Sequence, residues 1–111
     1  MSRPARITLT PVVEGDTWDG LTISWTSDGT AFADNLTSVV MEFKTPQDTV
    51  ALSLTSEDGD ITIDDANAWE ITVLPAILPL AAGVWKCPIT TTDAEGVIKT
   101  RIFAELTIID K

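Results

Sequence analysis

The strongest constraint on this chain is a two-residue alternation of apolar and polar side chains, repeated between turn signals roughly 8 to 15 residues apart. In Leu21-Thr22-Ile23-Ser24-Trp25 every second residue is apolar, and the same holds for Val39, Met41 and Phe43 and for Val50, Leu52 and Leu54. Strand side chains point alternately to opposite faces, so such a run buries one face and wets the other. Helical spacing is almost absent. The pattern predicts an all-β fold of seven or eight strands in two antiparallel sheets packed face to face, with one short helical turn.

The strands can be placed. The first covers about Arg6 to Val12, with Ile7 and Leu9 on one face, and Pro11 marks it as an edge or bent strand. The second runs from Thr17 to Thr26 and is followed by a turn at Ser27-Asp28-Gly29-Thr30 and an irregular connection to Thr37. A third carries Val39, Met41 and Phe43 and stops at Pro46, and a fourth spans Thr49 to Thr55 before the turn Glu57-Asp58-Gly59-Asp60. Ile61 to Ile63 and Trp69 to Val73 form a hairpin around Asp64-Asp65-Ala66-Asn67. Leu74 to Ala82 reads as the helical turn, limited by Pro75 and Pro79. Gly83 to Thr92 places Trp85, Cys87 and Ile89 together, and Pro88 argues for an edge position or a bulge. After the loop Asp93-Ala94-Glu95-Gly96, the last strand sets Ile98, Ile102, Ala104, Leu106 and Ile108 against Lys99, Arg101 and Glu105.

At 111 residues the chain suits one domain, 1–111, with residues 1–5 as a flexible lead. Cys87 is the only cysteine, so no disulfide forms within one chain, and a lone thiol fits synthesis in a reducing cytoplasm. The start lacks an apolar signal core, and no run approaches the length of a membrane-spanning helix. Seventeen acidic against seven basic residues give a net charge of −10, a field that repels nucleic acid.

Catalytic chemistry finds little to work with. The chain has no histidine and no tyrosine, which removes most proton-transfer arrangements. Cys87 has no histidine to activate it and alternates with Trp85 and Ile89, as a core residue would. The acids from Glu57 to Asp65 fall in turns, and their spacing does not match a calcium loop. No enzyme, cofactor or metal site is expected. Of the four tryptophans, Trp25 and Trp85 sit in register with aliphatic neighbours as core residues, whereas Trp18 and Trp69 begin strands and are the candidate interface residues.

The order Gly15-Asp16-Thr17, Leu36-Thr37, Asp60-Ile61-Thr62-Ile63, Leu80-Ala81-Ala82-Gly83-Val84-Trp85 and Thr92-Asp93-Ala94-Glu95-Gly96 resembles a family of small bacteriophage tail and baseplate domains, that of the baseplate upper protein's N-terminal domain. The resemblance spans Val13 to Ile109 and departs from the family pattern at Lys86-Cys87-Pro88. It implies an immunoglobulin-like sandwich that docks to other phage tail proteins or to copies of itself, in a virion tail assembled in the bacterial cytoplasm. Met1 and an ending on a completed strand suggest a free-standing product. The rival from another class is a carbohydrate-binding or adhesion module whose exposed tryptophans stack on sugars.

Overall fold

The computed structural model describes residues 5–25 and 34–111. Eleven strand segments follow one another: β1 (Ala5–Thr8), β2 (Val12–Val13), β3 (Thr17–Trp18), β4 (Leu21–Ser24), β5 (Leu36–Lys44), β6 (Val50–Thr55), β7 (Ile61–Asp65), β8 (Glu70–Val73), β9 (Ala76–Ile77), β10 (Gly83–Asp93) and β11 (Ile98–Ile109). The protein is all-β, a β-sandwich, and the described residues contain no helix. The turn expected at Ser27–Thr30 and most of the connection after it lie outside the described residues.

One sheet has the order β1-β11-β10-β5-β6, with β2 also on β11. β1 and β2 both run parallel to β11, pairing first with Ile102–Glu105 and then with Ile108–Ile109. The N-terminal segment is therefore one strand bent at Leu9–Pro11, where the proline cannot donate to a ladder. The second sheet has the order β4-β8-β7. β3 and β9 continue it: Leu21 pairs with Val73 and Trp18 with Ala76 in unchanged register. Counted across their bends, the segments make eight runs.

The two inner faces meet in one core. Val39, Met41, Phe43, Cys87, Ile89 and Leu106 from the larger sheet are sealed against Trp18, Ile61, Ile71 and Val73 from the smaller. The Trp18 and Phe43 rings cross edge to face with centroids 6.0 Å apart, which joins the layers.

Four expectations need correction. Leu74 to Ala82 is not helical. Ala76 and Ile77 form β9 on the strand that holds Trp18, and Leu78 and Leu80 are buried while Ile77 and Pro79 are exposed, so the period stays at two. The two prolines forbid the hydrogen bonds that would have converted this stretch to a helix. Pro88 does not mark an edge, because β10 is interior, between β11 and β5. Its missing N–H is accommodated by a lapse: β10 pairs Lys86 with Lys44, skips Cys87 and Pro88, and resumes at Ile89 with Met41. The second strand breaks at Gly20, where φ is +73°. In β11 the register against β10 steps between Ile102, opposite Ile89, and Thr100, opposite Thr90. The extra residue is Arg101, and the bulge inverts the faces beyond it. Ile98, expected in the core, is 69% exposed, and Arg101, expected outside, turns inward.

Candidate interaction surfaces

Three connections gather at one end of the sandwich, around residues 34–37, 65–69 and 92–97. Backbone hydrogen bonds tie them: Leu36 N–H donates to the Ala66 carbonyl at 3.0 Å and Ala94 N–H to the Asn35 carbonyl at 2.9 Å. The Thr37 hydroxyl donates to the carbonyls of Thr92 and Asp93. The acids here build turns. Asp65 Oδ1 accepts from the N–H groups of Asn67 and Ala68, and Asp93 Oδ1 from those of Glu95 and Val97. Among the described residues no group of three acids or thiols is arranged to hold a metal ion.

Trp69 is the centre of this end. It closes the 65–69 turn with φ +57°, a left-handed position where glycine usually stands. Its indole is 1% exposed, donates from Nε1 to the Asp34 carbonyl at 2.7 Å, meets Trp25 edge to face and lies under the Arg101 guanidinium, 5.3 Å from the ring centroid. Arg101 Nε also donates to the buried hydroxyl of Thr91 at 3.2 Å. A strained backbone is thus held by a hydrogen bond, a cation–π contact and burial.

This corrects the expectation for both candidate interface tryptophans. Trp69 and Trp18 are both buried in the core, where Trp18 packs against Phe43 and Trp69 against Trp25. A strand start places a residue near a sheet end, but here both rings turn inward. Trp85 is buried as expected, its Nε1 donating to the Ala81 carbonyl at 2.9 Å, whereas Trp25 is only half-buried. Compared with known protein families, curated proteins and solved structures, the chain matches none.

What the molecule does expose is sheet edge and scattered apolar surface. Among the described residues β4 and β6 each pair on one side only, and neither segment contains a charged residue or a proline. Such edges are templates for another strand. On the outer face of the larger sheet Arg6 lies over the Phe103 ring at 5.5 Å, and Lys86 Nζ donates to Asp48 Oδ1 at 2.8 Å. That hydrogen bond and the Lys86 charge hold the Asp48 carboxyl below its ordinary range. Cys87 is sealed inside, and burial pushes its thiol up to about 12, far from the thiolate a nucleophile needs.

Sequence reasoning missed Arg101 and the uncharged edges of β4 and β6. Neither had a local signal: a bulge is decided by the partner strand, and an edge by what fails to arrive beside it.

Proposed function

We propose that this chain is a non-catalytic structural protein of a phage or prophage tail or baseplate, an immunoglobulin-like module working through protein–protein contacts. The observation that carries the reading is the strand order. Immunoglobulin-type sandwiches place their second, fifth and fourth strands in one sheet and their seventh, sixth and third in the other, with an added strand beside the third in some. Here β4-β8-β7 and β11-β10-β5-β6 follow that arrangement, and the N-terminal segment lies parallel on β11. The fold is a scaffold for contact, and its uncharged edges supply main-chain hydrogen bonds to a partner. The resemblance to tail and baseplate domains supplies the setting, with other tail proteins as partners.

The rival carbohydrate-binding reading rested on exposed tryptophans. Trp18, Trp69 and Trp85 are buried, which leaves half-buried Trp25, packed edge to face with Trp69, as the one indole among the described residues that a sugar ring could reach.

The test is gold-labelled antibody against the chain on virions induced from the host. Label on the tail is expected, with the intact chain recovered by mass spectrometry from purified particles. Unlabelled particles that lack the chain would refute the assignment.

A further inference from the structure

β4 is an edge with an unfinished core beneath it. Two hydrogen bonds identify its free backbone groups. Trp25 N–H donates to the Trp69 carbonyl at 3.2 Å, so Trp25, and by alternation Ile23 and Leu21, face β8 with their backbone groups. Leu74 N–H donates to the Asp60 carbonyl at 3.0 Å, which turns Thr72 and Glu70 toward β7 and leaves Ile71 and Val73 facing β4, in agreement. The N–H and C=O of Thr22 and Ser24 therefore point outward, and among the described residues no strand pairs with them.

The side chains tell the same story. Ile71 and Val73 on β8 are fully buried, whereas Leu21, Ile23 and Trp25 on β4 are only partly buried against the same core. Trp25 Nε1 is shielded from solvent and has no hydrogen-bond partner among the described residues. A further strand along β4 would complete both the ladder and the apolar layer.

We propose that β4 pairs antiparallel with β4 of a second copy of this chain, across a two-fold axis at Ile23. This deepens the binding reading above and rests on it. With the axis at Ile23, Thr22 lies opposite the partner's Ser24 and Ser24 opposite the partner's Thr22. Each pair exchanges two main-chain hydrogen bonds, so every outward group of both strands is used. Ile23 meets its own copy as the close, non-hydrogen-bonded pair, and Leu21 meets Trp25, which closes the inner layer.

Charge leaves this edge open to a second copy. A chain of net charge −10 repels its copy over most surfaces, yet Leu21 to Trp25 carries no charge. Glu70, paired with Ser24 on β8, falls in one row with the partner's Thr72 rather than its Glu70, because Thr22 is paired with Thr72. No like charges are set directly opposite. β6 offers less to a copy of itself: its register slips between Phe43 and Lys44, and both backbone groups of Thr55 are already engaged by Asp60.

The full chain should sediment and scatter light as a dimer that dissociates on dilution. Thr22→Pro removes an outward N–H that the fold itself does not use, so the monomer should keep its circular dichroism and melting temperature. By symmetry the dimer loses two hydrogen bonds, and its dissociation constant should rise roughly 30-fold. Ser53→Pro, on the open side of β6, should leave the dimer unchanged. Ile23→Cys should yield a disulfide-linked dimer on oxidation, the sealed Cys87 being no competitor. A wild-type chain that stays monomeric at every concentration, or a dimer indifferent to Thr22→Pro and not cross-linked through Ile23→Cys, overturns the proposal. Either result leaves the tail assignment to its own test on virions.

Discussion

Gly20→Ala should be the most damaging single-methyl change in the protein. Gly20 joins β3 to β4 at φ +73°, and a Cβ there would stand 2.0 Å from the Val73 carbonyl oxygen and 3.0 Å from the Leu74 carbonyl carbon. Both obstacles are backbone, so neither can rotate away. Gly96 is the control: its φ is +81°, but a Cβ would meet nothing within 4 Å. The left-handed conformation alone costs about 1 kcal/mol, and Gly96→Ala should lose that much. Gly20→Ala adds the clash, which forces β3 off β9 and loosens Trp18 from Phe43. Loosening a large buried side chain and a strand pair brings the total to about 3–5 kcal/mol, against a whole-domain stability of about 5–15 kcal/mol. Urea unfolding followed by tryptophan fluorescence reads the difference. With a slope of about 1–3 kcal/mol/M, the midpoint should fall by less than about 1 M for Gly96→Ala and by about 2 M for Gly20→Ala. Equal losses in the two variants would show that the close approach at Gly20 does not govern this bend.

Other changes probe the interior. Because the folded Cys87 thiol is raised to about 12 from an ordinary 9.0, the unfolded chain loses its proton first as pH rises. The contribution of Cys87 should therefore be level below pH 9 and fall from there toward 12, and Cys87→Ala should flatten that alkaline decline in a urea series. A thiol reagent at pH 8 should label native Cys87 only as fast as the protein opens; rapid labelling would mean the strand is not sealed. Trp69→Gly relieves the left-handed backbone but removes the buried indole, for a net loss of about 2–4 kcal/mol in thermal or chemical unfolding. A neutral result would mean that strain and burial balance there. Thr91→Val takes an acceptor from Arg101 and should cost about 1–2 kcal/mol; no change would remove that hydrogen bond from the account.

Legibility followed the range of the forces involved. The hairpins at 64–67 and 93–96 were readable because aspartate accepts from its own neighbours and glycine takes a positive φ, both within a few residues. The inward set Val39, Met41 and Phe43 was readable because strand alternation is local. Of the two readings of Pro88, the bulge has a counterpart one residue on, between Ile89 and Thr90, but the edge failed for the opposite reason. Proline is rare in interior strands, and what admits it here is a lapse in pairing with β5, nearly 50 residues away. Trp69 misled because its position at the start of a strand said nothing of the left-handed turn that throws its ring inward.

Period-two patterning, with turn residues between the runs, is enough by itself to make this chain all-β and to name most of its core, because each strand's two faces are written in neighbouring residues. Which strands lie side by side, where the β11 bulge turns Arg101 inward and Ile98 outward, and which edges stay open were settled only by the fold. Those outcomes depend on pairing between segments distant in sequence, where a shift of one residue reverses every face.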